Sequence, residues 1–373
     1  MKVARYIFGS NSAFSVVENK NFLEMLDEAR PGYKPPNRHL IGEHYLDAVY
    51  GEEIKRCQRE LENHDVTMSM DAWSNQRNES VIAITVTRDD GRTYLVKTIN
   101  AFGKKHDGQM LCDIMKNGIN EIQEKFKCNI RCVVTDNAAN MNLARQLLEE
   151  SGEFDVITYG CAAHRLDHLA EALEIPEVQS QVVDVCKYFR NNHFAAAFYA
   201  ELGLEKLTIP SDVRWNTVFD CISLYNKNYF KLCELCEKYR ADLKTEIVRK
   251  VENAALKRNA VDYMNKLQPL AVAVDLAQKD TAKISDVVHI FKTAESEVVE
   301  NFPDAKREIE KYYKKTITDY HLVGYLIDPH YRGAKLTPRE RDSALKFIHE
   351  KYPAAMPDVM KYLGKTLFSG MLF

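Results

Sequence analysis

The sequence predicts an α/β fold: a five-stranded sheet with flanking helices, followed by a large all-helical region. Three observations predict it. Asp89-Asp90-Gly91-Arg92 separates two β-branched runs. A nearly unbroken apolar run at 128–135 is followed by helix, strand and helix patterns. Beyond about residue 176 the apolar spacing is helical throughout.

Residues 1–66 are expected to be helical. Phe14, Val17, Phe22, Met25 and Leu26 fall at helical spacing before a break at Arg30-Pro31-Gly32-Tyr33-Lys34-Pro35-Pro36, and the period resumes over 41–61. Residues 66–71 form a short β-rich run. Residues 81–87 and 93–99 flank the Asp-Gly pair, a strong hairpin signal because both turn residues tolerate positive φ. Residues 108–126 carry apolar side chains at helical spacing, and 128–135 suits a central strand buried on both faces. A helix over 138–150, a strand over 154–158 and a helix over 162–173 complete the core. Three antiparallel strands extended by two parallel ones is the order of an RNase H-like sheet. The domains expected are 1–66, an N-terminal helical region; 67–175, the mixed five-stranded core; and 176–373, a helical insertion or C-terminal domain with helices over 182–189, 215–239, 243–267, 284–302 and 304–320.

The 373 residues suffice for two or three structural units and a sizeable core. Apolar residues make up 45% and charged residues 28%, ordinary for a globular protein. A formal charge of −3 provides no overall basic field, so a nucleic-acid surface has to be local. The nine cysteines are scattered and odd in number, which suits reduced intracellular thiols better than a disulfide framework. The first eight residues hold too short an apolar run for secretion or anchoring, and no stretch reaches the roughly 20 apolar residues of a membrane span. A nuclear or cytoplasmic protein is expected, neither secreted nor membrane-bound.

Two aspartates stand out as candidate catalytic residues and metal ligands. Asp71 lies in Met70-Asp71-Ala72-Trp73-Ser74, where the first strand is expected to end, and Asp136 follows the fourth strand in Thr135-Asp136-Asn137-Ala138-Ala139-Asn140-Met141. On neighbouring strands their carboxylates would face one crevice. Two hard oxygen ligands there suit Mg²⁺ or Mn²⁺, and a metal pair stabilises both the attacking and the leaving oxygen of an in-line phosphoryl displacement. Alternatively, Asp136-Asn137 caps the following helix and Asp71 closes a turn.

Cys161-Ala162-Ala163-His164-Arg165-Leu166-Asp167-His168 sets Cys161 and His164 on one helical face, with zinc ligation, structural support and DNA contact as alternatives. No zinc is expected: no matching second pair is evident, and Arg165 stands where a zinc protease has Glu. Cys233 and Cys236 suit core helix positions better than ligation. Arg214-Trp215 opens a long helix. Trp215 can stack on an extruded base while Arg214 holds phosphate, or it can anchor helix to sheet.

These motifs, in this order, resemble the hAT superfamily of DNA transposases and proteins derived from them. The likeness extends over nearly the whole chain, from Phe14-Ser15-Val16-Val17-Glu18 and Arg30-Pro31-Gly32-Tyr33 through Asp71-Ala72-Trp73-Ser74, the Asp136 and Cys161 segments and Arg214-Trp215, to Leu326-Ile327-Asp328-Pro329-His330-Tyr331-Arg332-Gly333. The resemblance implies an RNase H-like core interrupted by a large helical insertion. It implies that Asp71 and Asp136 match the first two members of an Asp-Asp-Glu triad, that Cys161 and His164 match a Cys-x-x-His element, and that Trp215 matches the tryptophan stacking near the cleavage point. The partner implied is DNA, as transposon ends or chromatin, with Mg²⁺ or Mn²⁺ as cofactor if the site is active. A BED-type zinc finger, a C-terminal segment bearing the catalytic Glu and a hydrophobic dimerisation tail are not recognised in the sequence, and Glu340 and Glu350 stand in other contexts. The expectation is a truncated or domesticated chain, catalytically impaired. The alternatives are a non-enzymatic nuclear module binding DNA, chromatin or a protein partner through the helical domain, and a competent nuclease whose third carboxylate is a residue such as Glu340.

Overall fold

Alternation along β1 (Asp65–Ser74) organises the sheet: Val66, Met68 and Met70 are buried, while Thr67, Ser69 and Asp71 point to the other face. The computed structural model describes residues 1–75, 77–103, 105–211 and 216–369, with side chains through residue 364. In it β1, β2 (Ser80–Arg88), β3 (Thr93–Asn100), β4 (Asn129–Thr135) and β5 (Ile157–Gly160) form one mixed sheet in the order β3-β2-β1-β4-β5. This is the α/β class and strand order that the sequence predicts. The chain divides into two compact units, one of Met1–Val133 with Leu143–Ile157, the other of Val134–Asn142 with Thr158–Phe373.

In the first unit β1 pairs antiparallel with β2, setting Asp71 opposite Ala83, and β2 pairs antiparallel with β3. The β2–β3 hairpin turns where the Asp-Gly pair predicts it. Gly91 has φ of 83°, its N–H donates to the Arg88 carbonyl at 3.1 Å, and Asp90 Oδ1 accepts from the Arg92 N–H at 3.1 Å. A bulge at Ile84/Thr85 interrupts the ladder.

The N-terminal helices are α1 (Lys2–Gly9), α2 (Lys20–Ala29), the single turn α3 (Arg38–Leu40) and, after a π-helical turn over Ile41–Tyr45, α4 (Leu46–Leu61). Ile7, Val17 and Ile41 form a small core among them. Next, α5 (Gly108–Phe126) is capped by Asp107, whose Oδ1 accepts from the Met110 N–H at 3.0 Å, and it ends at Lys127 in the left-handed region. It lies close on the sheet at Gly118, where a Cβ would stand 3.1 Å from Ile84 Cδ1 and 3.6 Å from Met68 Sδ. Burial of Met68 and Ile84 there contributes about 1.5–3 kcal/mol each. The helix α6 (Ala139–Ser151) follows β4.

In the second unit, α7 (Ala162–Ala172), α8 (Pro176–Asn191), α9 (His193–Ala200), α10 (Asn216–Lys238), α11 (Thr245–Glu252), α12 (Ala254–Ala277), α13 (Ile284–Asn301) and α14 (Lys306–Thr316) surround one large core. Its centre is α12, which packs on α7, α8, α10 and α13 and buries Tyr263, Leu267 and Leu270. The Tyr263 hydroxyl donates to Gln179 Oε1 at 2.9 Å, so the ring is buried without an orphaned polar atom. Then α15 (Asp319–Ile327), α16 (Pro338–Lys351) and α17 (Met356–Ser369) enclose a smaller cluster of Leu322, Leu326, Ala344, Ile348 and Leu363.

Two long helices expected from spacing are divided. Asn253 separates α11 from α12, its side chain accepting from the N–H groups of Ala255 and Leu256; α14 ends at Thr316, and Thr318 is the N-cap of α15. Among the described residues, no helix is long and apolar enough to cross a membrane.

Candidate functional site

Beyond the last residue of β4, the chain makes a turn in which almost every polar group is engaged. Asp136 Oδ1 accepts from the Ala138 N–H at 2.8 Å, an Asx-type turn leading into α6. The Asn137 side chain donates from Nδ2 to the Cys161 carbonyl at 2.7 Å and accepts at Oδ1 from the Arg165 guanidinium at 2.7 Å. Its backbone N–H points to His164 Nδ1 at 3.4 Å, and its carbonyl accepts from Asn142 Nδ2 at 3.0 Å. The Cys161 N–H donates to the Thr135 carbonyl at 2.7 Å, tying the start of α7 to the end of β4. The structure thus brings Asp136, Cys161 and His164 together, with Asn137 between them.

His164 is half-buried. Burial, then the neighbouring His168 whose ring centroid lies 4.4 Å away, hold its imidazole below the ordinary range, against an opposing pull from Asp136. The ring is therefore neutral at pH 7. With Nδ1 accepting from Asn137, the neutral ring carries its proton on Nε2 and presents a donor there. His168 Nδ1 in turn lies 3.1 Å from Glu171 Oε2.

Asp71 belongs to the first unit. Contrary to the expectation that it ends a strand, it sits three residues inside β1, because Trp73 and Ser74 still pair with Val81 and Ser80. Its side chain is exposed, with Oδ1 2.9 Å from the Ala72 N–H. Trp73, on the same face, is 47% exposed.

Arg214 and Trp215 lie outside the described residues. Cys236 is fully buried in the α10 core, where burial pushes its thiol up to about 12, and Cys233 packs against the same core. Glu340 is fully engaged elsewhere: its carboxylate takes the Tyr313 hydroxyl at 2.6 Å, Lys292 Nζ at 3.0 Å, and the Thr337 N–H and Oγ1 at 2.8 and 2.9 Å. It completes the capping box with Thr337 at the start of α16 and holds that helix to α13 and α14.

Among the described residues, no group of three or more His, Cys, Asp or Glu side chains is arranged to hold a metal ion. Mg²⁺ takes one or two carboxylates and completes its octahedron with water. Carboxylates such as those of Asp71 and Asp136 are the hard oxygen donors that Mg²⁺ and Mn²⁺ prefer.

Both aspartates and the Cys161–His168 segment fall within the span of one family model. A family model described as a domain of unknown function, DUF659, matches residues 36–187. DUF659 begins just before α3 and ends within α8. It takes in Asp71, Asp136, Cys161 and His164, and stops short of Arg214, Trp215 and Glu340. No curated protein matches the chain.

Asn137 and Arg165 were not singled out by the sequence as functional. A signal for Arg165 was present: it stands one turn after Cys161 on α7, on the face that carries the Cys-x-x-His pair.

Proposed function

We propose that the chain carries a hAT transposase-like DNA-strand cleavage and transfer core, with Asp71 and Asp136 as its metal-holding carboxylates and DNA as its partner. The observation that carries the proposal is the strand order, in which β1 neighbours β4 while each brings an aspartate at or beyond its C-terminal part. The DUF659 match adds to it, since that family is associated with hAT-type transposase-like proteins. When bound, a divalent cation supplies charge stabilisation to a phosphodiester and a more acidic attacking water. The protein's own part is positional: Asp136 is fixed by the turn around Asn137, and Cys161 and His164 brace that turn. Arg214 and Trp215 are assigned to phosphate contact and base stacking, and a nuclear location accompanies these roles.

The test is binding of the full chain to hairpin and single-stranded DNA across a salt series, then incubation with Mn²⁺. The proposal expects log affinity to fall with log salt by about 0.7–0.9 for each phosphate contacted, and cleavage to be slow. Affinity indifferent to salt, or absent, overturns it.

A second reading has one specific observation in its favour. Glu340, the carboxylate that the sequence offered as a third catalytic acid, is engaged by Tyr313, Thr337 and Lys292, which favours this reading. On this reading the chain is a non-enzymatic nuclear module that binds DNA or chromatin. Salt-dependent binding with no cleavage in Mn²⁺ selects it.

A further inference from the structure

The turn around Asp136 contains a cation with no counter-ion among the described residues. Arg165 is half-buried and makes no ion pair among the described residues; its Nε is buried without a partner, and burial lowers its pKa. Holding a guanidinium in such a place is unfavourable unless it does something there. Its hydrogen bond goes to Asn137 Oδ1, at 2.7 Å.

That bond fixes the orientation of an amide. With Oδ1 facing the guanidinium, Nδ2 faces the Cys161 carbonyl, and the reversed amide would set NH₂ against guanidinium and oxygen against carbonyl. All four polar groups of Asn137 are then in use: backbone N–H, backbone carbonyl, Oδ1 and Nδ2. A residue held at four points holds its neighbour. Asp136, one residue back, is set between the end of β4 and this anchored amide, and its Oδ1 is committed to the Ala138 N–H. Helix capping alone requires only that last bond.

We propose that Asn137 and Arg165 are positioning residues for Asp136, holding its carboxylate in place for a divalent cation without touching the ion themselves. This rests on the proposed function. Groups that orient metal ligands change metal affinity by about 10–100-fold when removed.

The experiment titrates Mn²⁺ into the full chain and reads free ion by electron paramagnetic resonance, with unfolding midpoints recorded for every variant. Asp136→Asn comes first: unchanged Mn²⁺ affinity there overturns the metal-site reading, and the positioning proposal with it. Where Asp136→Asn weakens binding, Asn137→Asp and Arg165→Met decide. Asn137→Asp retains size but sets an oxygen against the Cys161 carbonyl; Arg165→Met retains the side-chain stem without the donors. Affinity lower by about tenfold or more in both, with folding intact and partial recovery in Arg165→Lys, supports positioning. Wild-type affinity in both overturns positioning and leaves the metal site standing. If Arg165→Met does not fold, Asn137→Asp decides alone: a loss of about tenfold or more supports positioning and wild-type affinity overturns it.

Discussion

Tyr313 gives its hydroxyl hydrogen to Glu340 Oε1 at 2.6 Å, and Lys292 approaches the same carboxylate at 3.0 Å while lying 4.5 Å from the centre of the Tyr313 ring. Three helices, α13, α14 and α16, meet at this cluster. Removing the carboxylate leaves Lys292 without its counter-ion, Tyr313 without its acceptor and the Thr337 N–H at the start of α16 without its partner. Glu340→Ala is expected to cost about 2–4 kcal/mol in urea unfolding, with Mn²⁺ affinity unchanged. Burial opposes charge on Glu340, but the Tyr313 hydroxyl and the Thr337 and Lys292 bonds outweigh it and hold the carboxyl below its ordinary range. A depressed folded value means that this contribution is complete above the unfolded value near pH 4.3 and is lost as pH falls through the folded one.

His321 titrates in a different window. It is fully buried in α15, with Nδ1 2.9 Å from Thr318 Oγ1 and Nε2 without a partner among the described residues. Burial pushes its pKa down to about 4. The unfolded chain takes up the proton first, near pH 6.5, so stability is complete above that value and is lost as pH falls towards 4, by about 3 kcal/mol. Urea unfolding at pH 7 and pH 4.5 should show this loss in the wild type and a smaller one in His321→Gln. Equal losses in the two proteins would exclude His321 as the cause.

The segment 326–333 behaves as a helix-ending turn. Ser285 Oγ donates to Asp328 Oδ2 at 2.7 Å, the Tyr331 hydroxyl to Asp286 Oδ1 at 2.6 Å, and the Gly333 N–H to the Tyr325 carbonyl at 3.0 Å. Gly333 has φ of 69°, and a Cβ there would stand 2.9 Å from Leu326 Cδ1. Gly333→Ala is expected to destabilise by about 1–3 kcal/mol. Arg332, also left-handed at φ 51°, is expected to respond in the opposite sense, with Arg332→Gly neutral or stabilising by up to about 1 kcal/mol. Thermal unfolding of the pair checks both signs.

Trp215 separates base stacking from anchoring. Under the proposed function, Trp215→Ala weakens binding to hairpin or single-stranded DNA by about 1–3 kcal/mol and leaves the unfolding midpoint near that of the wild type. A large drop in the midpoint with unchanged DNA affinity would make Trp215 an anchor of the helical region.

Much of the fold was legible because its signals are local. The span of α5 follows from apolar residues at helical spacing after the Asp107 cap, and the β2–β3 hairpin from Asp90-Gly91. Features decided by partners were not legible. Asp71 lies within β1 because β2 continues opposite it as far as Ser80, and the turn falls later, at Asn78 with φ of 57°. The break at Asn253 is hidden in an apolar period that runs through it, and only the capping geometry discloses it. β5 spans Ile157–Gly160 instead of 154–158, a shift of the size expected for a four-residue strand with little pattern of its own. At the site, Asp136, Cys161 and His164 were legible as motif residues. The Asn137–Arg165 bond was not, since it joins residues 28 positions apart through a single side-chain contact.

Under the proposed function Asp71 and Asp136 share one divalent cation, and a double-mutant cycle on Mn²⁺ affinity tests this most directly. Asp71→Asn, Asp136→Asn and the double variant are titrated under identical conditions, with folding verified for each. A shared ion makes each single change weaken binding by about tenfold or more, and makes the double change cost clearly less than the two losses added together. Wild-type affinity in either single variant, or strictly additive losses, would contradict the account.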